Sequence, residues 1–224
     1  MNSSSKAIVF IAEGTEEIEA VVTIDVLRRA EIEVLVVGVS QIKVPYYICS
    51  RKVKIVPDAY IDVDTINFDN YNAAIIPGGV LGAKILSEND QVQRILADFY
   101  AQGKIVATIC AGALAIKTAN LHNKRGKKLH ITAHSSVKAE LENDFDFHDE
   151  RVVVDDHLIT AAGPGVSFEF AFSIVKKLAG DDVAKSAAAP MINSVLLVNK
   201  EYLIFDLWLF LETENADFSG KNYH

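Results

Sequence analysis

The amino-acid sequence predicts a doubly wound α/β fold: a mostly parallel sheet flanked by helices, in a single domain. Three observations lead there. Short apolar runs recur at Ala7 to Ala12 (AIVFIA), Val34 to Val39, Ala73 to Pro77 (AAIIP) and Ile105 to Ile109, the form taken by strands buried on both faces. Helical patterns stand between these runs, so strands and helices alternate, as parallel sheets require. Half of the 224 residues are hydrophobic, enough to bury a sizeable core. In this class, chemistry gathers at the carboxyl ends of the strands.

In chain order, Ala7 to Ala12 is the first strand. Ile18, Val21, Val22 and Val26 follow at helical spacing and lead to Arg28 and Arg29, cations that suit the last turn of a helix. Val92 to Tyr100 forms a second helix that stops at Gly103. Ile105, Val106 and Ile109 are β-branched and mark a strand, while Ala111 to Ile116 opens a helix, so Cys110 lies at a strand-to-helix turn. The stretch from Leu121 to Ala162 is more polar, carries a basic cluster at Lys124 to Lys128, and reads as a solvated loop with a hairpin of Val152 to Val154 and Leu158 to Ala161. Phe168, Ala171, Phe172, Val175 and Leu178 keep helical spacing before a capping Gly180. Residues 1–192 are expected to form the domain and 193–224 a C-terminal extension. That tail is strongly apolar, but Lys200, Glu201 and Asp206 break it up, whereas a membrane span needs roughly 20 mostly apolar residues. It reads as an extra strand or helix, or as a cover for a dimer face.

The net charge of −8 is spread along the chain, and no Lys/Arg-rich block offers a nucleic-acid or membrane face. The N-terminus lacks the apolar core of a secretory signal. Two cysteines without metal-ligand spacing suit a reducing compartment, so the cytosol is the default location.

A nucleophile held on a tight strand-to-helix turn needs small neighbours, which Ala111, Gly112 and Ala113 supply. A helix starting there aims amide donors at the sulfur and lowers its pKa from about 8.5 toward neutrality. The alternative is that Cys110 is simply a small buried hydrophobe. Three segments would have to meet it. The stretch AEGTEEIEA brings Glu16 and Glu17 to the cap or solvated face of a helix and Glu19 toward the sheet-edge crevice, where burial would raise its pKa. In IIPGGVLGA, Gly78 and Gly79 offer backbone amides to an oxyanion, and in ITAHSS, His134 is a candidate base or polariser.

The stretches GTEEIEAV, DVLRRAE, CSRKV, IIPGGVLGA, ATICAGALAI, ITAHSSVK and AGPGVSFEFAFSIV, in this order over about residues 6 to 192, resemble the DJ-1/PfpI superfamily, and within it the Parkinson disease protein seven (protein deglycase) group. The resemblance implies a flavodoxin-like, class I glutamine amidotransferase-like fold. It further implies Cys110 as nucleophile and oxidation sensor, Glu19 as its carboxyl partner, His134 as a third member, and Gly78, Gly79 and the amide of Ala111 as the oxyanion-binding turn. Arg28, Arg29 and Arg51 would be basic residues near the pocket or dimer face. Neither metal nor organic cofactor is implied, and the assembly would be a homodimer. The implied activity is glutathione-independent conversion of methylglyoxal or glyoxal to the hydroxy acid, with removal of early glycation adducts from proteins and nucleotides and protection against oxidative stress. Nucleus and mitochondrion join the cytoplasm as locations the resemblance allows.

The chain departs from the family pattern at several points. Val56 replaces a second oxidation-sensitive cysteine, which leaves Cys49 and Cys110; Ala113 replaces a common proline; and AAGPG lacks a serine and an arginine. A redox-sensing chaperone or signalling protein that uses Cys110 oxidation is the competing reading. A glutamine amidotransferase is disfavoured because Ser136 stands where His-x-Glu needs its glutamate, and a superfamily protease because Ala111 rather than His follows Cys110.

Overall fold

Strand β1 (Lys6–Ile11) shows how a six-residue run becomes a layer buried on both sides. Successive side chains point to opposite faces, so Ala7, Val9 and Ile11 enter one core while Ile8, Phe10 and Ala12 enter the other. The computed structural model describes residues 5–61, 64–123 and 126–191. The expected extension, residues 193–224, lies outside the described residues, as do Lys124 and Arg125 of the basic cluster.

After β1 come α1 (Glu17–Arg29), β2 (Glu33–Gly38), and the short strands β3 (Tyr47–Ile48), β4 (Lys54–Ile55) and β5 (Ala59–Tyr60). Next are β6 (Ala73–Ile76), α2 (Val80–Glu88), α3 (Asp90–Ala101), β7 (Ile105–Ile109) and α4 (Leu114–Thr118). The chain continues through β8 (His130–Ile131), α5 (Lys138–Leu141), β9 (Asp146–Phe147), β10 (Val152–Asp155), β11 (Leu158–Ala161), α6 (Ser167–Ala179) and α7 (Asp181–Ala188). The main sheet has the order β10-β11-β7-β6-β1-β2-β5, and every pairing in it is parallel except the β10–β11 hairpin. Helices α1, α6 and α7 cover one face, and α2, α3 and α4 the other. The doubly wound class predicted from the sequence is the observed one.

Local signals set the helix ends. Glu16 caps α1, its carboxylate accepting from the Glu19 amide at 2.8 Å, and Arg28 and Arg29 occupy the last turn. Asn89 caps α3 by accepting from the amides of Gln91 and Val92, and the helix buries Val92, Ile95, Leu96, Phe99 and Tyr100, a single stripe of its surface.

The stretch from Leu121 is not the solvated loop the sequence suggests. Strands β8 and β9 pair in parallel as a small separate sheet, and Leu129, Ile131, Leu141 and Phe145 are fully buried or nearly so. These four apolar residues are dispersed among charges, so a window average hides them although each is buried. Among the described residues, no helix is long and apolar enough to cross a membrane.

The direction of winding changes between β1 and β6. One half of the chain runs outward through β2 to β5, the other through β7 to β11. The ends of β1, β6 and β7 therefore open side by side at the switch point, the place where an open α/β sheet forms a crevice.

Candidate active site

Cys110 follows the fully buried strand β7 with φ = 62°, a left-handed conformation unusual for a residue with a side chain. Such strain persists only where the surroundings hold it, and here they are close. Gly112 lies against the end of β6 so tightly that a Cβ would stand 2.6 Å from the Ile76 carbonyl oxygen and 2.7 Å from that of Pro77. Cys110 to Ala113 form a 3₁₀ turn and α4 adds only five residues, so the elbow leads into a short helix.

Glu19 is fully buried, one turn into α1. Its Oε2 accepts the Gly78 amide at 2.6 Å, and its carboxyl faces the Cys110 thiol, which favours the ionised carboxylate. Gly78 is the spacer between them: a Cβ there would lie 2.7 Å from Cys110 Cβ, 2.7 Å from Glu19 Oε2 and 3.1 Å from the Ala111 nitrogen. Three segments, from the ends of β1, β6 and β7, thus meet at one point. The amides of Ala111 and Gly79 lie toward the sulfur and favour its ionised form. The Gly78 amide is taken up by Glu19.

Burial pushes the Glu19 carboxyl up to about 7, against the pull of the Gly78 hydrogen bond and of the Cys110 thiol. The expected low thiol pKa is not observed. Burial and then the neighbouring Glu19 charge push the Cys110 thiol up to about 12, and the amides of Ala111 and Gly79 only partly oppose them. A 3₁₀ turn followed by a five-residue helix supplies a weak dipole, and the nearest charge is negative. The resting thiol therefore keeps its proton next to a carboxyl that is half protonated near neutrality. Ionising the sulfur requires Glu19 to take up that charge change.

His134 is exposed. It caps the 3₁₀ turn Ser135–Val137, with its Nδ1 accepting from the Ser136 amide at 3.2 Å and lying 2.8 Å from Ser136 Oγ. That turn packs against the one beginning at Cys110, but among the described residues no hydrogen bond joins His134 to Cys110 or Glu19. Arg28 and Arg29 are nine and ten residues beyond Glu19 on α1, about 13–15 Å along the helix. They bind Asp58 and Asp25 respectively, so the structure does not bring them to the pocket. Arg51 is exposed, with its guanidinium donating to the Ser50 carbonyl.

Glu17 is the residue that sequence reasoning missed. Expected at the cap or on the solvated face, it is buried and holds the Cys49–Val53 turn. Its carboxylate accepts from Ser50 Oγ at 2.8 Å, from the Arg51 amide at 2.7 Å and from the Val53 amide at 3.4 Å. Burial alone would raise its pKa, but these bonds together lower it below the ordinary carboxylate value. A lowered folded pKa contributes stability above the unfolded value near 4.5 that is lost as pH falls through the folded one. Glu17→Gln is expected to lower stability by about 1–3 kcal/mol at pH 7 and by less at pH 4, read from thermal or urea unfolding at the two pH values. Cys49 beside it is 2% exposed, and burial together with the charges of Glu17, Glu13 and Glu16 pushes its thiol up to about 11.

The DJ-1/PfpI family model matches residues 5–177. The Parkinson disease protein 7 homolog of Danio rerio is 38% identical over 192 residues, covering 85% of this chain and 98% of the relative. The glutathione-independent glyoxalase DJ-1 of Schizosaccharomyces pombe is 36% identical over 194 residues, covering 83% and 99%. The solved structure of Schizosaccharomyces pombe DJ-1 superposes with a TM-score of 0.77 at 34% identity, covering 84% of this chain and 99% of that one.

Proposed function

The chain belongs to the DJ-1/PfpI family, and we propose that it is a cofactor-independent cysteine enzyme acting on reactive carbonyls. It would be a glutathione-independent glyoxalase, and a deglycase where the same carbonyl carbon is carried on an early protein or nucleotide adduct. The observation that supports this most is the Cys110–Glu19–Gly78 junction. A thiol, a carboxyl of pKa about 7 and the amides of Gly79 and Ala111 meet there at one strained turn, which supports Cys110 as the nucleophile. Relatives named as glutathione-independent glyoxalases support the substrate class.

As Cys110 Sγ bonds to the aldehyde carbon of methylglyoxal, its proton passes to Glu19, and the new alkoxide takes a proton to give a neutral hemithioacetal. The amides of Gly79 and Ala111 are the nearest donors for the oxyanion. Removal of the C1 proton by the carboxylate and its return at C2, through an enediol, converts the adduct to a lactoyl thioester. Water then releases lactate and restores the thiol, so methylglyoxal and one water give lactic acid with no net redox change. Glyoxal gives glycolate by the same steps. A carboxyl near 7 can both accept and return a proton at neutral pH. His134, one layer out, is assigned proton exchange with solvent, and Arg51 a place at the pocket rim.

Pairing as a homodimer is supported by exposed Ile18 and Val21 on α1, with exposed Val53 on the turn that Glu17 holds against its first turn. Lactate formation from methylglyoxal without glutathione, measured for wild type beside Cys110→Ser, tests the proposal. Turnover in wild type and at least about a thousandfold less in the variant is expected. No lactate from wild type, with selective Cys110 oxidation under mild peroxide, would instead support the redox-sensing reading.

A further inference from the structure

On the outer side of the small β8–β9 sheet, three metal-ligating side chains meet although none belongs to the site at Cys110. We propose that His130, Asp146 and His148 form a site for a divalent transition metal of the zinc type. The strand register places them. His130 is directly opposite Asp146, and His148 lies two residues further along, where side chains return to the same face. The intervening positions anchor that face: Leu129, Ile131 and Phe145 are buried, and the pairing is held by the Asp146 amide donating to the Leu129 carbonyl at 2.9 Å and the His148 amide to the Ile131 carbonyl at 2.8 Å.

The donor atoms form a compact triangle. His130 Nδ1 is 2.9 Å from His148 Nε2 and 3.1 Å from Asp146 Oδ2, and His148 Nε2 is 3.4 Å from that same oxygen. A triangle with these sides has a circumradius of about 1.8 Å, so a point about 1 Å off its plane lies about 2.05 Å from all three atoms, the usual zinc distance to imidazole nitrogen and carboxylate oxygen. Two imidazoles and one carboxylate are a donor set that suits zinc, and the exposure of the group leaves a fourth position for water. Glu150 Oε1 lies 3.9 Å from His148 Nδ1, on the far side of the ring, where a carboxylate favours the tautomer that leaves Nε2 free to bind metal. The same contacts without metal would be a ring N–H bridging the two histidines, so the cluster is either a hydrogen-bonded pair or a ligand set, and the two differ in what zinc does.

Zinc chloride titrated into untagged, metal-stripped full-length protein is expected to fill one site per chain that Cys110→Ser leaves intact. Its dissociation constant should rise at least about tenfold in His130→Asn and in His148→Gln, because each loses a ligand. Histidine ring resonances of His130 and His148 should shift on zinc addition and those of His134 and His157 should not. Methylglyoxal turnover of the two histidine variants should match wild type. If zinc binds the His130→Asn/His148→Gln double variant as tightly as wild type, or wild type shows no saturable binding outside the Cys110 site, the assignment fails. Because the readout is zinc binding, that failure is independent of whether the protein is a glyoxalase.

Discussion

Glu19→Gln is expected to lower methylglyoxal turnover by about two to four orders of magnitude while making the protein more stable at pH 8, measured by lactate release and by thermal unfolding of the same preparation. Both effects come from one buried carboxyl. A glutamine still accepts the Gly78 amide through its carbonyl and can donate to the sulfur, so the geometry survives. It cannot accept the thiol proton or move one between carbons. The stability change follows from the raised pKa. A folded pKa of about 7 against an ordinary 4.5 means that the contribution of Glu19 is full below pH 4.5 and is lost as pH rises through 7. The shift corresponds to about 3 kcal/mol between those limits. Wild type should therefore lose stability relative to the variant between pH 5 and pH 8. A variant that turns over normally would remove Glu19 from proton transfer, and equal stability differences at both pH values would show that the carboxyl titrates normally.

Gly79→Ala is expected to cost about 3–5 kcal/mol, a fall of roughly 10 °C in the midpoint of thermal unfolding for a chain of this size. Gly79 has φ = +87°, and a Cβ there would stand 2.3 Å from the Gly14 carbonyl oxygen, 2.6 Å from the Glu16 nitrogen and 2.9 Å from the Thr15 carbonyl carbon. All three are backbone atoms, which cannot swing aside as a side chain can. Relief would push the β6 turn away from the α1 entry, so the Gly79 amide would leave the sulfur and activity should fall along with stability. Gly103→Ala is the control. Gly103 has φ = +71° with nothing within 4 Å of the added atom, so only conformational strain of about 1 kcal/mol is expected. If the two substitutions cost the same, the tight packing at Gly79 carries no energy.

Much of this architecture was legible in the sequence because its signals are local. The four apolar runs became β1, β2, β6 and β7, since a strand buried on both faces must be apolar throughout. The arginines at the end of α1 act on the helix dipole within the turn they occupy, which is why they can be read from the chain. Helix α2 and the short strands β3, β4, β5, β8 and β9 were not legible. The strands run to two residues each, too short for any periodicity, and exist because longer elements hold them in register.

For the candidate site, the sequence determined the cast: a cysteine between a buried strand and a small-residue turn, a glutamate one turn into a helix, and a glycine pair after a strand. Tertiary structure decided what each does. Glu16 and Glu17 are neighbours with similar chemistry, yet one caps α1 and the other holds the Cys49–Val53 turn from a buried position. The Gly78 amide goes to Glu19, Gly79 and Ala111 face the sulfur, and the thiol keeps its proton instead of losing it. His130 meets Asp146 and His148 only through the pairing of β8 with β9. Backbone preferences and apolar periodicity act between neighbours in the chain and can be read from it. Burial and electrostatic fields are set by groups tens of residues apart, and they take a value only when the fold has brought those groups together.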